Sequence, residues 1–208
     1  MKSHLFSLFF LFSFISFSQA QTASEWMETI NATYKKAVSY YIKFEAVEEN
    51  TEKISGELYA AKEKYSLQIS DIYQMFDGKT LYTVSKDDKE ITISKPAADG
   101  SDLLTPTKSL ELEKTEYTAV LDKTETVNGK KVQKIKLSPK KQNSEINYIL
   151  VSVYTADNTL YQYKEFLKNG SSRTITVKEY LENLIIPRSL FKFDRAKYEK
   201  NGYIVTDL

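Results

Sequence analysis

Cysteine is absent from the 208-residue sequence, and its one histidine, His4, lies in an apolar N-terminal leader. Past that leader there is no imidazole to act as a base and no thiolate to act as a nucleophile. Serines are plentiful but have no histidine partner, and no segment singles out a Ser-Lys pair. The soft-ligand zinc and copper sites are excluded on the same ground. No disulfide can form, so stability must come from packing alone. Glycine (6) and proline (4) are scarce, and no glycine belongs to a phosphate-cradling loop. Neither sign of charge dominates, with 29 basic and 28 acidic residues. Loss of Lys2 with the leader makes the remainder neutral, without the basic excess that nucleic acid requires.

What is present begins with the leader. Lys2 precedes an apolar run from Leu5 to Phe17, and Ser18-Gln19-Ala20 supplies small residues at the positions that precede a signal cleavage. Cleavage before Gln21 is the expectation, because the run is short for a bilayer span. No cysteine follows it, so the product is expected to be soluble, not acylated, and outside the cytoplasm. Residues 21–208 suit a single domain.

Residues 23–38 carry Trp26, Met27, Ile30, Tyr34, Ala37 and Val38 at helical spacing, with Thr22 or Ser24 available as a cap. Strands dominate thereafter. Tyr40, Ile42, Phe44 and Ala46 alternate with polar neighbours, as do Leu58 and Ala60, then Tyr65, Leu67 and Ile69. Residues 72–76 and 80–84 flank the Asp77-Gly78-Lys79 turn. Further strands are expected at 90–94, 117–124, 130–137, 146–154, 160–167 and 173–180, with Asn128-Gly129 and Asn169-Gly170 as hairpin signals. Period two with a polar second face predicts an antiparallel sheet of about ten or eleven strands. The stretch 96–116 is expected to be a loop and a small helix around Leu103 and Leu104. Residues 181–190, broken by Pro187, suggest one helical turn, Phe191 and Phe193 a short strand, and 203–205 another.

The carboxylate pairs Asp87–Asp88 and Glu48–Glu49 are adjacent in sequence, so on a strand they face opposite ways and share no site. Asp99-Gly100-Ser101-Asp102 lacks the spacing of a calcium loop. The chain therefore reads as a non-enzyme without cofactor or metal. All fifteen tyrosines lie after the leader, mostly in strands. Strand propensity accounts for many of them. Tyrosine also suits a cavity wall, since it pairs apolar area with a hydroxyl that needs a partner when buried.

In order along the chain, these segments resemble the LolA-like family, the periplasmic carriers of outer-membrane lipoproteins. They are Tyr40-Tyr41-Ile42-Lys43-Phe44, Gly56-Glu57-Leu58-Tyr59, Phe76-Asp77-Gly78-Lys79-Thr80-Leu81-Tyr82, Asp157-Asn158-Thr159-Leu160 and Leu190-Phe191-Lys192-Phe193. The resemblance implies a mainly β fold with helices (α+β). Its strongly curved antiparallel sheet would form an incomplete β-barrel, covered by the N-terminal helix and short lid helices. It implies a periplasmic chaperone that binds acyl chains of lipoproteins released from the inner membrane and delivers them to the outer membrane, with no bond made or broken. The implied partners are acylated lipoproteins, an inner-membrane lipoprotein-releasing transporter and an outer-membrane acceptor, met by a monomer.

On that basis Phe44, Leu58, Tyr65, Leu67, Ile69 and Leu81 are the candidates to line an apolar cavity. Period two leaves open which sheet face is concave. Met27, Ile30, Tyr34, Leu103 and Leu104 are candidates for helix or lid contacts. The family's rim arginine and its proline are missing from Lys62-Glu63-Lys64-Tyr65-Ser66-Leu67, which makes Lys62 and Lys64 the candidates for a polar latch. A tryptophan often seen after the Asp-Gly turn is replaced by Tyr82. Related folds also serve periplasmic regulators, so a sensor or general lipid-binding module is the alternative. An envelope enzyme working through carboxylates is a more distant one.

Overall fold

Thr22 opens the long helix. The structure, a computed structural model, describes residues 21–98, 105 and 115–208. The Thr22 hydroxyl accepts the Glu25 N–H at 3.2 Å, and the Glu25 carboxylate accepts the Thr22 N–H at 2.6 Å. Two otherwise orphaned amides are thereby satisfied at the start of α1 (Ala23–Lys36). Ala23, Met27, Ile30 and Tyr34 recur at three-to-four spacing and form its buried stripe.

Twelve strands follow among the described residues: β1 (Ser39–Glu48), β2 (Ile54–Ala61), β3 (Lys64–Ile69), β4 (Ile72–Phe76), β5 (Leu81–Ser85), β6 (Glu90–Ser94), β7 (Tyr117–Val127), β8 (Lys130–Pro139), β9 (Ile146–Tyr154), β10 (Leu160–Leu167), β11 (Ser172–Glu182) and β12 (Ile204–Asp207). They make one sheet in the order β12-β6-β5-β4-β3-β2-β1-β11-β10-β9-β8-β7. Two meanders, β1 to β6 and β7 to β11, join where β1 pairs antiparallel with β11. Local turn chemistry sets most of the connections. At Asn128-Gly129 both residues take positive φ, 49° and 76°, as a tight two-residue hairpin demands.

The sheet corrects the expected architecture. A mainly β chain with few helices is found, but the sheet is open and not strongly curved. Closure into a barrel requires hydrogen bonds between the first and last strands. Here β12 and β7 lie at opposite ends of the order and do not pair. The motifs behind the barrel expectation are hairpin-sized, and closure is a relation between distant strands that no hairpin encodes. The sheet is not wholly antiparallel either, since β12 runs parallel to β6, with Ile204 against Glu90.

The C-terminal segment also differs from expectation. β11 continues to Glu182, and Arg188–Phe191 is a 3₁₀ turn starting after Pro187. Phe191 and Phe193 form no strand. A short helix, α2 (Arg195–Lys200), appears where none was expected; Asp194 caps it by accepting the Lys197 N–H at 3.1 Å. The leader, Asp99–Asp102 and the expected small helix around Leu103 and Leu104 lie outside the described residues.

The two sheet faces are covered by different segments. Ladder neighbours share a face, so Tyr65, Phe76 and Leu81 lie on one side and Ser66, Met75 and Tyr82 on the other. The first side carries α1. There Met27, Ile30 and Tyr34 join Ile42, Phe44, Leu58, Leu67, Ile135, Leu137, Ile149 and Val151 in one buried cluster. On the reverse side of β3 to β6, Met75, Val84 and Ile91 are buried. The C-terminal segment reaches that side: the Tyr73 hydroxyl donates to the Leu190 carbonyl at 3.1 Å, and Phe193 stacks on Tyr82 at 4.6 Å.

Candidate functional site

The face that carries α1 extends beyond the helix. Along β1 the residues on that face are Tyr40, Ile42, Phe44, Ala46 and Glu48. The first three belong to the buried cluster, and Ala46 packs against its edge. At Ala46 a groove of about 460 Å³ begins, and no residue of α1 lines it. Its floor is a cross-strand row: Ala46 pairs with Ile54 on β2 and Ile175 on β11, and Ile175 pairs with Tyr163 on β10. Ile54 and Ile175 stay 42% and 41% exposed, unusual for isoleucine on a sheet face otherwise packed.

Charge closes the far end. Arg173 lies 3.6 Å from Glu48 and 3.9 Å from Glu165, and the Tyr163 hydroxyl donates to Glu165 at 3.3 Å. The groove thus has an apolar floor continuous with the core and a mouth held by one guanidinium between two carboxylates. Its shape offers an apolar floor with a polar mouth, the layout of a site for an apolar chain with a polar end.

The structure brings Phe44, Leu58, Tyr65, Leu67 and Leu81 together in the buried cluster, and Ile69 packs against it. None of the six lines the groove itself; Phe44 is the rung next to Ala46. Met27, Ile30 and Tyr34 face the sheet, and Leu103 and Leu104 lie outside the described residues. Lys62 and Lys64 are exposed at the β2–β3 turn, where α1 meets β1. That end is opposite the groove. The sequence does not single out the groove residues Ala46, Ile54, Tyr163, Arg173 and Ile175. Alternation puts Ala46 in phase with Phe44, but it does not say which rungs the helix leaves bare.

The hydroxyls of the buried Tyr34, Tyr41 and Tyr65 all have protein partners. Tyr34 accepts the Leu160 N–H at 3.1 Å and meets Tyr40 and Tyr180 edge-on, at 5.6 and 5.2 Å. Tyr65 donates to Gln74, and Gln74 bonds Thr83 at 3.4 Å, giving a short polar ladder across β3 to β5. Burial pushes the Tyr180 hydroxyl up to about 12, with the Glu182 carboxylate adding to the effect. Burial raises Tyr34 as well, and further. These shifts favour the neutral phenol, the reverse of what an activated nucleophile needs. Among the described residues no cluster of three or more His, Cys, Asp or Glu side chains is placed to hold a metal. No helix there is long and apolar enough to cross a membrane.

No protein-family model matches the sequence, and no curated protein matches it. Solved structures do share the fold. An uncharacterized conserved protein from Thermus thermophilus aligns at TM-score 0.64 and 9% identity, over 89% of this chain and 99% of that one. MucB, known also from a Pseudomonas aeruginosa MucA/MucB complex, aligns at TM-score 0.51 and 12% identity, over 83% of this chain and 63% of MucB. The chain thus spans less than two thirds of MucB. This chain therefore shares its fold with both proteins. At 9% and 12% identity the alignments show the fold and nothing finer.

Proposed function

We propose that this protein is a periplasmic carrier that shelters the acyl chain of a lipid or lipoprotein and delivers it without chemical change. The observation that carries the reading is the groove: about 460 Å³, floored by Ala46, Ile54, Tyr163 and Ile175 and continuous with the core at Phe44. The leader, the ordered motifs and the shared fold support it. The delivery route, from an inner-membrane transporter to an outer-membrane acceptor, is part of the proposal.

Energetics allow more than the bare groove. Moving a chain of about fifteen methylenes from water recovers about 12 kcal/mol at ~0.8 kcal/mol each. Lifting α1 would expose Met27, Ile30 and Tyr34, which costs about 5–9 kcal/mol at ~1.5–3 kcal/mol per side chain. The exchange is favourable but close, as release also demands. In this reading Phe44, Leu58, Tyr65, Leu67, Ile69 and Leu81 become the wall that a chain meets when the helix swings out. Lys62 and Lys64 form the polar rim at the end where α1 joins β1.

The test is uptake of a fluorescent acyl probe, with co-purification of lipoproteins. Saturable uptake that falls in an Ile175→Lys variant is the expected result. A folded protein that takes up no probe and retains no lipoprotein would refute the carrier reading. One observation favours a second reading: MucB, which shares the fold, is known in complex with MucA. In that second reading the protein is a regulatory module, and its depletion would alter signalling while leaving lipoproteins correctly sorted between membranes. Fractionation of membranes after depletion separates the two.

A further inference from the structure

The side of β8, β9 and β10 away from α1 carries lysines and aromatic rings in register. Val120 on β7, Lys136 on β8, Leu150 on β9 and Lys164 on β10 form one cross-strand row. In the next row Tyr148 pairs with Phe166, and their rings stack at 4.4 Å with 20° between planes. The Lys136 ammonium stands 4.4 Å from the Tyr148 ring centre, and the Lys164 ammonium 4.9 Å from that of Phe166. Further along, Lys130 stands 5.0 Å from the Tyr154 ring centre. On the same face Lys134 is neutralised by Glu125 at 2.8 Å. Lys130, Lys136 and Lys164 have no carboxylate partner among the described residues. On this face Lys130 and Lys136 are exposed and Tyr148, Leu150, Lys164 and Phe166 half-buried, whereas Val132 and Ser152 are buried.

From this arrangement we infer that the lysine–aromatic face of β8–β10 docks the protein on an anionic membrane surface, separately from the groove. The chemistry matches in two ways. Uncompensated lysines are drawn to acidic headgroups, and tyrosine and phenylalanine beside them suit the boundary between headgroup and acyl chain. Nucleic acid fits less well, because each of the Tyr148 and Phe166 rings stacks on the other and has a lysine ammonium over its centre, which leaves little ring face for bases. The face goes beyond the carrier reading: it holds the protein at a bilayer whatever the groove contains.

The test is vesicle flotation of the purified protein with pure phosphatidylcholine and with phosphatidylcholine–phosphatidylglycerol mixtures. Binding to the mixed vesicles only, weakened by added salt, is expected. At roughly fivefold per lysine, a Lys136→Gln, Lys164→Gln variant should lose about twenty-fivefold in partitioning. An Ile175→Lys variant should bind vesicles as before, because the groove is not involved. Lys136 is exposed and Lys164 half-buried, and an unchanged melting curve for the double variant confirms that the loss is local. No binding to the anionic vesicles would overturn the inference, and an acidic protein surface would become the partner to test. Full binding by the double variant, or loss with Ile175→Lys alone, would overturn it too.

Discussion

Gly56→Ala should destabilise this protein, although the glycine occupies an ordinary strand conformation. Gly56 pairs with Phe44 across β1 and β2, and the tip of the Phe44 ring fills the space that a β-carbon would take. A methyl group there would stand 2.2 Å from Phe44 Cζ and 2.6 and 2.8 Å from the flanking ring carbons. Replacing a strand glycine by alanine normally gains about 0.5–1 kcal/mol of backbone entropy. Overpacking a core contact costs about 1–3 kcal/mol. The larger effect wins, for a net loss of about 1 kcal/mol, or about 2–4 °C in Tm for a domain of this size. Urea unfolding in a double-mutant cycle isolates the cause. Phe44→Ala alone should cost about 3–5 kcal/mol. In that background Gly56→Ala should change sign and become neutral or slightly stabilising. Equal effects of Gly56→Ala in both backgrounds would refute the steric reasoning.

Three further outcomes are expected. Ile175→Lys, at a residue 41% exposed, should leave stability within about 0.5 kcal/mol while lowering acyl-probe uptake, checked by melting and fluorescence titration together. Stability should be flat with rising pH up to about 10, the ordinary tyrosine value, and then fall as pH climbs through about 12. The unfolded chain releases tyrosine protons first, while Tyr180 holds its own until about 12 and Tyr34 longer; absorbance of tyrosinate under native conditions should lag that of the unfolded chain. Thr22→Ala removes one half of the capping box on α1 and should cost about 1 kcal/mol by denaturant unfolding, with increased amide exchange in the first helical turn.

Much of the fold was legible because its signals are local. The stripe Met27, Ile30 and Tyr34 marked α1, and the alternation of Tyr40, Ile42 and Phe44 marked β1 with its buried face. Asn128-Gly129 marked its hairpin through the positive φ that both residues adopt. The illegible parts involve distant partners. β12 lies parallel on β6 only because α2 returns the chain to that edge. Phe191 and Phe193 alternate like a strand, yet they end as packing for the reverse face, with Phe193 stacked on Tyr82.

By itself the sequence determined the inventory: one amphipathic helix, many short strands, no thiol, no imidazole outside the leader, and apolar residues on alternate positions. Those are properties of a few neighbouring residues, where period and turn chemistry decide the outcome. Only the tertiary structure decided that β7 and β12 stay apart, so that the sheet is open. It also decided that a groove opens at Ala46 and that Tyr163 and Ile175 meet beside it. Each of these depends on which surfaces are left uncovered after the elements pack, and that is set by pairings between distant strands, such as Ala46 on β1 with Ile175 on β11.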